Sequence, residues 1–267
     1  MRIMQSVIEI NKSVPENCIL KRELSSSPIT KIYSCIFNDV KAVIRFDLPA
    51  AHELSVDRQN EINILKAINH LGLSPEVLYY DIDTGILIWK FISGVEPSPA
   101  ENKSNLHSLR DLGASLSSLH SLPIPENTVD IFSNSMILYR SLLDNSSEKI
   151  LFDKALAQFN KLEQDGAKRV LSHNDLHQKN ILWNKKYYFI DWEYSGLNHP
   201  CFDIASLVRS FKLNQSQINE LSIGYKVNNK FFRLDVLNPW IEFIDYLEKI
   251  WSISLSKILR NLEHKDI

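Results

Sequence analysis

The sequence contains little glycine. Only 7 of its 267 residues are glycine, which is under half of the roughly 7% usage of average proteins. No two glycines are separated by a single residue, which excludes the G-x-G-x-x-G loops of dinucleotide-binding proteins and protein kinases. No G-K-[ST] tripeptide occurs, which excludes a Walker A loop. Any phosphate group bound by this chain must therefore be held in another way.

Cysteine is also scarce. The chain has 3 cysteines, Cys18, Cys35 and Cys201, which are widely spaced and form no C-x-x-C pair. Neither a disulfide framework nor a zinc ribbon is indicated by this pattern. We therefore expect inert thiols in a protein of the reducing cytoplasm.

Charge of one sign and long apolar runs are missing as well. Lys and Arg number 30 against 32 Asp and Glu, a formal net charge of −2. Nucleic acid is therefore not an expected partner. No apolar run approaches the roughly 18 residues of a membrane span, and residues 1–20 lack the apolar core and cleavage site of a secretory signal. We expect a cytoplasmic protein without membrane insertion.

Residues 18–94 have the pattern of a small antiparallel sheet with one helix. A helix is predicted from Val56 to Leu71, where apolar residues recur at helical spacing, and Gly72 provides its C-terminal stop. Two prolines and the absence of periodicity make residues 95–102 a linker, so the first lobe is expected to end near Gly94. Strands are predicted over residues 18–24, 32–37, 41–46, 77–81 and 86–92.

The remainder is predicted to be mostly helical. One apolar stripe is formed by five leucines, and residues 150–162 and 241–262 give further helical stretches. Residues 170–191 are the exception, because they have short strand-like segments joined by a turn at residues 184–186. The stripe consists of Leu106, Leu109, Leu112, Leu116 and Leu119.

This strand-like segment carries the residues with chemical potential. Asp175 and Asn180 are five residues apart across a loop, and Asp191 ends the strand that returns alongside. A hairpin of this size brings the three side chains to one end. Two carboxylates and an amide oxygen suit Mg²⁺, which completes its shell with water and substrate phosphates. Phosphoryl transfer needs little more than such a metal and a base that orients the attacking hydroxyl.

The same segment carries a family resemblance. H-N-D-L-H-Q-K-N followed by I-D-W-E-Y resembles the aminoglycoside phosphotransferase-like kinases, and most closely their choline and thiamine kinase branch. The resemblance implies a bilobal α+β protein-kinase-like fold, with a small antiparallel β N-lobe (residues 1–94) that binds ATP. Residues 95–267 would form a mostly helical C-lobe for catalysis and substrate binding. It further implies that Asp175 is the catalytic base and that Asn180 and Asp191 are Mg²⁺ ligands.

In the N-lobe, the resemblance assigns the nucleotide contacts. Arg45 would contact the ATP phosphates, and Glu61 would be the partner that steadies it. The loop at residues 25–31 stands where relatives carry glycines, so Thr30 and Lys31 are the candidate phosphate donors there. In the strand similar to the kinase hinge, the adenine would be held by backbone groups of Lys90 and Ile92.

In the C-lobe, the resemblance assigns the alcohol site and one structural anchor. Tyr194 matches an aromatic residue that flanks the choline pocket, where a cation–π wall would suit a quaternary ammonium. The further substrate candidates are Glu193, His177 and the C-terminal Trp240. Asp203 would anchor the catalytic loop. One departure is Ser210, preceded by Arg209, at the position where choline and thiamine kinases carry a pocket glutamate.

The leading hypothesis is transfer of the ATP γ-phosphate to the hydroxyl of a small alcohol, most directly choline or thiamine. Three alternatives stay open. The missing loop glycines are consistent with a nucleotide-binding pseudokinase that acts as an interaction module, and the family also contains aminoglycoside phosphotransferases. A metallohydrolase would use His173, Asp175 and His177 as ligands of a transition metal.

Overall fold

The computed structural model describes residues 14–54, 56–98, 107–226 and 229–265. Five strands form one antiparallel sheet in the order β1-β2-β3-β5-β4, and two helices lie between β3 and β4. The predicted β-rich first lobe is therefore confirmed. The strands are β1 (Cys18–Ser26), β2 (Thr30–Phe37), β3 (Val40–Asp47), β4 (Val77–Asp81) and β5 (Ile86–Lys90), and the helices are α1 (Pro49–Glu53) and α2 (Arg58–Ile68).

Local sequence explains where these elements begin and end. Asn38 and Asp39 both have positive φ, 46° and 64°, as a two-residue turn between twisted antiparallel strands requires. Helix α2 begins after Asp57, whose carboxylate accepts a hydrogen bond from Asn60 N at 2.9 Å. The chain then passes through a 3₁₀ turn to Gly72, whose φ of 59° is left-handed. The predicted stop at this glycine is confirmed.

The rest of the described chain is mostly helical. Its helices are α3 (Leu109–His120), α4 (Ile131–Leu142), α5 (Ser146–Leu162), α6 (Pro200–Phe211), α7 (Gln215–Tyr225) and α8 (Leu234–Lys265). Helix α8 starts earlier than predicted, and α4, α6 and α7 were not predicted. Helix α6 is buried at ten of its twelve positions, which include the polar residues Asp203 and Ser206.

Helices α3 and α7 cross at the distance of backbone contact. A Cβ atom on Gly113 would lie 2.0 Å from Leu221 O, and one on Gly224 would lie 1.8 Å from Arg110 O. Only glycine fits at both positions, because any side chain would force the helices apart. Leu106, the first leucine of the predicted stripe on α3, lies outside the described residues, as do residues 99–102 of the predicted linker.

Four short strands interrupt the helical part. They are β6 (Val170–Ser172), β7 (Ile181–Trp183), β8 (Tyr187–Phe189) and β9 (Gly196–Asn198). Strands β7 and β8 form the predicted hairpin, with Ile181 opposite Phe189 and a turn at Lys185, whose φ is 61°. Strand β9 pairs with β6 and was not predicted, because it has three residues and a distant partner.

One apolar core runs through both lobes. It joins Ile64 and Ile68 of α2 to Leu112 of α3, Leu207 of α6 and Phe243 of α8. A second, smaller core covers the other face of the sheet. The three cysteines are buried free thiols. Among the described residues, no helix is long and apolar enough to cross a membrane.

Candidate active site

The loop between β6 and β7 is tied to the helices behind it. Asp203 accepts hydrogen bonds from the backbone amides of His173 and Asn174 at 2.8 and 2.9 Å. His120 Nε2 lies 3.0 Å from the same carboxylate, and its Nδ1 lies 2.7 Å from the Tyr225 hydroxyl. Burial favours the protonated acid, but the His120 contact and the two amides hold the pKa of Asp203 below its ordinary value. Asp203 therefore anchors the loop as an ionised acceptor.

The loop presents Asp175 beside Asn180. Asn180 Nδ2 donates to Asp175 Oδ2 at 2.9 Å and to Asp175 O at 3.0 Å. Both amide hydrogens are thus used within the loop, so Asn180 Oδ1 is the atom left to serve as a ligand. Ile190 N donates to Asn180 O at 2.9 Å, which brings the following residue, Asp191, to the same end of the β7–β8 hairpin. Asp191 has a left-handed φ of 66°.

The two aspartates lie in a region of concentrated negative charge. Burial, followed by the charges of Asp191 and Glu193, raises the pKa of Asp175 well above its ordinary value. Burial also raises the pKa of Asp191, although the Arg45 guanidinium opposes the shift. Carboxylates in this state bind a cation readily, because a cation removes the repulsion that raises their pKa values.

The residues present fit a Mg²⁺ ion. Within the described ranges, no three His, Cys, Asp or Glu side chains are arranged to hold a metal by themselves. Asp191 and Asn180 instead offer one carboxylate and one amide oxygen, with Asp175 next to them. Mg²⁺ accepts such a small set of oxygen ligands, because water and substrate phosphates complete its shell. A transition metal bound by His173, as in the metallohydrolase alternative, is not supported, because His173 is buried and its Nε2 lies 3.0 Å from Ile190 O.

Arg45 on β3 and Glu61 on α2 form the predicted pair. Arg45 Nη1 and Nη2 donate to Glu61 Oε1 and Oε2 at 2.8 and 2.7 Å, the bidentate geometry that a guanidinium and a carboxylate favour. Arg45 is only 3% exposed. Burial favours the neutral acid, but Arg45 and Arg58 hold the pKa of Glu61 below its ordinary value. The pair is therefore fully ionised and fixed.

Glu193 belongs to this ionic network and not to the alcohol site. Its Oε2 accepts a hydrogen bond from Arg58 Nη1 at 2.9 Å, and it is 5% exposed. Arg58 also binds Glu61 at 3.0 Å and both oxygens of Asp47 at 2.7 Å. Burial and the Asp191 charge raise the pKa of Glu193 to about 7. The predicted substrate role of Glu193 is not supported, because Glu193 lies within this network and lines neither of the two cavities described below.

A first cavity, of about 380 Å³, lies between the sheet and the β7–β8 hairpin. Arg45 and Glu61 are in its wall on one side, and Asn180 and Asp191 are in its wall on the other. Several apolar side chains that were not predicted line the same space, a composition that suits a planar base. These apolar side chains are Ile32, Leu65, Pro75, Val77, Leu87 and Trp89.

Of the other predicted nucleotide contacts, none lines this cavity. Thr30 donates its amide to Ser27 Oγ at 3.0 Å, so the loop is closed on itself. Lys31 lies opposite Ser26 at the end of the β1–β2 hairpin. Lys90 donates its amide to Glu76 O at 2.9 Å and its Nζ lies 3.4 Å from Glu76 Oε2, so its backbone carbonyl is the group that could contact adenine, and this role also stays a prediction. The roles of Thr30, Lys31 and Ile92 stay predictions.

A second cavity, of about 440 Å³, opens on the other side of Asp175. Tyr194 lies in its wall as predicted, and Trp251 Nε1 donates to the Tyr194 hydroxyl at 3.0 Å. Burial raises the pKa of Tyr194 well above its ordinary value, so the hydroxyl stays neutral. His177 lines both cavities, and its Nε2 lies 3.6 Å from Asp175 Oδ2. The other residues that line this cavity are Phe132, Ser135, Tyr139, Asn174, Leu247, Glu248 and Ser252.

Trp240 does not reach this cavity, so the prediction that it forms the C-terminal wall is wrong. It is 2% exposed and stacks on His199 with ring centres 4.6 Å apart. Trp251, on the same helix, takes the expected place. Eleven residues are about three helical turns, so both indoles share a face of α8 but lie far apart along it. The position along the helix could not be inferred from sequence.

Comparison with known proteins agrees with this geometry. A sequence profile of the phosphotransferase enzyme family matches residues 36–237. Protein LicA of Haemophilus influenzae is 28% identical over 205 residues, which cover 73% of this chain and 76% of that protein. Human ethanolamine kinase 1 is 30% identical over 179 residues, which cover 60% of this chain but only 39% of that kinase.

Solved structures share the fold. Choline kinase LicA from Streptococcus pneumoniae superimposes with a TM-score of 0.75 at 18% identity, over 97% of this chain and 98% of that one. An aminoglycoside phosphotransferase from Streptomyces rimosus gives a TM-score of 0.62 at 16% identity, over 89% and 98% of the two chains. These likenesses confirm the bilobal kinase-like fold. With a family profile that matches most of its length, the chain belongs to the phosphotransferase enzyme family.

Proposed function

We propose that this chain transfers the γ-phosphate of ATP to the hydroxyl of a small amino alcohol, with choline as the favoured acceptor. One observation carries the proposal. Asp175 lines the second cavity, while Asn180 and Asp191, next to it, line the first. A base at the boundary of two cavities, with metal ligands on one side, is the arrangement that direct phosphoryl transfer requires.

The proposal divides the work between the two parts of the chain. Residues 1–94 would supply most of the nucleotide contacts, with Arg45 on the phosphates and Glu61 holding its guanidinium. Residues 95–267 would supply the base and the acceptor site. Asp175 accepts the proton of the acceptor hydroxyl, and its raised pKa makes it a stronger base than an exposed aspartate. Mg²⁺, when bound, neutralises phosphate charge. Asn180 and Asp191 would hold it.

The second cavity supports an amino alcohol as acceptor. Tyr194 and Trp251 present aromatic faces, which attract quaternary ammonium groups. Relatives described as LicA and as ethanolamine kinase point to choline and ethanolamine more directly than to thiamine. An aminoglycoside carries several ammonium groups and would require a wider acidic cavity. We place the reaction in the cytoplasm, where ATP is available and the three buried thiols stay reduced.

The proposal is tested with purified protein, ATP and Mg²⁺. Choline, ethanolamine, thiamine and an aminoglycoside are supplied in separate reactions, and ADP release and the phosphate ester are measured. We expect turnover with choline or ethanolamine that is abolished by EDTA. Turnover with the aminoglycoside alone would favour that alternative. ATP binding without turnover of any acceptor would identify a pseudokinase and refute the proposal.

A further inference from the structure

The position where choline and thiamine kinases carry a pocket glutamate serves a different purpose in this chain. Ser210 lies on α6, and its Oγ accepts a hydrogen bond from Gln178 N at 2.8 Å. Ser210 does not line the second cavity. It supports the 3₁₀ turn that carries Asn180. The charge that relatives place there must therefore come from another residue or be absent.

The second cavity does have another carboxylate. Among its lining residues, Asp175 and Glu248 are the acidic ones. Glu248 lies on α8, three residues before Trp251, and residues three apart on a helix are neighbours on its surface. Its carboxylate is therefore placed next to the aromatic wall that Trp251 and Tyr194 form. Nothing in the sequence motif indicated Glu248, because α8 lies far from residues 170–191.

Arg209 fixes the position of this carboxylate. Arg209 Nη1 and Nη2 donate to Glu248 Oε1 and Oε2 at 2.7 and 2.6 Å. The same guanidinium binds Asp245, with Nε at 2.8 Å from Asp245 Oδ1. One positive group between two negative groups leaves a single net negative charge at this edge of the cavity. Arg209 precedes Ser210 on α6, so the ion pair also joins α6 to α8.

We propose that Glu248, positioned by Arg209, is the specificity-determining carboxylate that recognises the cationic end of the acceptor. The inference rests on the proposed function and deepens it. Aromatic faces with a single net negative charge beside them select a small monocation. A neutral alcohol gains nothing from the Glu248 carboxylate, and a polycation finds only one net negative charge here besides the base Asp175. Arg209 is a positioning residue, because it acts through Glu248.

The test compares choline with its neutral isostere, in which a tert-butyl group replaces the trimethylammonium. In Glu248→Gln, kcat/KM for choline is expected to fall by about tenfold while kcat/KM for the isostere changes by less than about twofold. The loss should lie in KM, since the base is untouched. A fall that is equal for both substrates, or no fall for either, would overturn the inference.

A matched control is available on the same helix. Glu242 lies on α8 but does not line the cavity, and its Oε1 accepts from the Tyr246 hydroxyl at 2.6 Å. Glu242→Gln should leave kcat/KM for choline and for the isostere within about twofold of wild type. An equal loss for choline in both variants would show that the general charge of α8 matters, and not Glu248 in particular.

Arg209 is tested through charge selectivity. Arg209→Gln leaves two carboxylates uncompensated, which favours a doubly charged acceptor. The ratio of kcat/KM for a dicationic aminopropyl derivative of ethanolamine to kcat/KM for choline should therefore rise by at least about threefold over wild type. Arg209→Lys restores one positive charge and should return the ratio toward that of wild type. An unchanged ratio in Arg209→Gln would refute the positioning role, since a merely structural defect lowers kcat/KM for both substrates equally.

A binding measurement separates this inference from the proposed function. Choline is added to the protein with a non-hydrolysable ATP analogue, and the shift in melting temperature is recorded. If wild type turns over amino alcohols, the proposed function stands. If Glu248→Gln then keeps the full choline-induced shift in melting temperature, the role of Glu248 is overturned. Wild type that shows neither a choline shift nor turnover overturns both. We expect a choline shift in wild type that Glu248→Gln loses.

Discussion

Arg58 Nη1 lies 2.9 Å from Glu193 Oε2, and this buried contact joins residues 135 positions apart in the sequence. It connects the first turn of α2 with the segment directly after Asp191. Arg58 also binds Asp47 and Glu61, so one guanidinium fixes the Arg45–Glu61 pair relative to the segment that follows the β7–β8 hairpin. The two walls of the first cavity are thereby fixed relative to each other.

We expect the Arg58–Glu193 contact to be strongly coupled. Arg58→Gln should lower the free energy of unfolding by about 3–5 kcal/mol, because three buried carboxylates lose a partner. In a double-mutant cycle that combines Arg58→Gln with Glu193→Gln, the free energies of unfolding measured in urea should give a coupling energy of about 1 kcal/mol or more. The exposed pair Arg110–Glu220, 2.6 Å apart, is the control and should show a smaller coupling. Equal coupling in the two cycles would contradict this interpretation.

Asp175→Asn keeps the shape of the side chain and removes the base. We expect kcat to fall by about 10²- to 10⁴-fold, the usual contribution of a positioned general base. Affinity for an ATP analogue, measured by calorimetry, should change little, since Asp175 does not line the nucleotide cavity. Asp235→Asn, an exposed carboxylate paired with Arg233, should leave both quantities unchanged. Retained turnover in Asp175→Asn would exclude its role as base.

Trp251 and Trp240 provide a paired test of the aromatic wall. Trp251→Leu should raise KM for choline by about tenfold, in line with the loss of one cation–π face. Trp240→Phe should lower the melting temperature, because the indole is buried against His199, and it should leave KM for choline unchanged. Steady-state kinetics on both variants test which tryptophan contacts the acceptor. A KM increase confined to Trp240→Phe would show that Trp240, and not Trp251, forms the aromatic wall.

His199 makes stability depend on pH. It caps α6, where its Nδ1 accepts from Cys201 N at 3.1 Å. Burial lowers the pKa of His199, although Asp165 opposes the shift. The unfolded chain therefore takes up a proton below about pH 6.5 that the folded chain refuses, and stability falls as pH falls.

His199→Asn keeps a capping acceptor but cannot be protonated. Urea unfolding at pH 7.5 and pH 5 should therefore show a larger loss of stability for wild type than for this variant. At most about 1.4 kcal/mol per pH unit is expected from one such group. A difference between the two proteins that does not change with pH would contradict the prediction.

Much of the fold was predictable from local patterns. The β2–β3 turn and the stop at Gly72 follow from residues that favour positive φ, and the β7–β8 hairpin follows from alternating apolar residues around a polar turn. Helix α6 and strand β9 escaped prediction for physical reasons. The helix buries polar residues such as Asp203 and Ser206 as well as apolar ones, so its burial depends on tertiary contacts, and the strand is defined by its partner β6 and not by its own three residues.

The site divides in the same way. The proximity of Asp175, Asn180 and Asp191 was predictable, because the three residues lie close together in the sequence around the β7–β8 hairpin. Contacts between distant elements were not predictable: neither Arg58 with Glu193 nor Glu248 at the acceptor cavity leaves a spacing signal. The residues that line the second cavity come from α4 and α8 as well as from the segments before β7 and after β8, so the tertiary packing of these helices decides which of their residues reach the cavity.

The hydrogen-bonded series from Tyr225 through His120 to Asp203 has a consequence for solvent access to the loop. The amide protons of His173 and Asn174 are bonded to a carboxylate that α3 and α7 hold from behind. Deuterium can replace these protons only when the loop separates from Asp203 on α6, which α3 and α7 hold in place. Their exchange should therefore be as slow as that of the central helix amides, although the neighbouring Asp175 side chain is partly exposed.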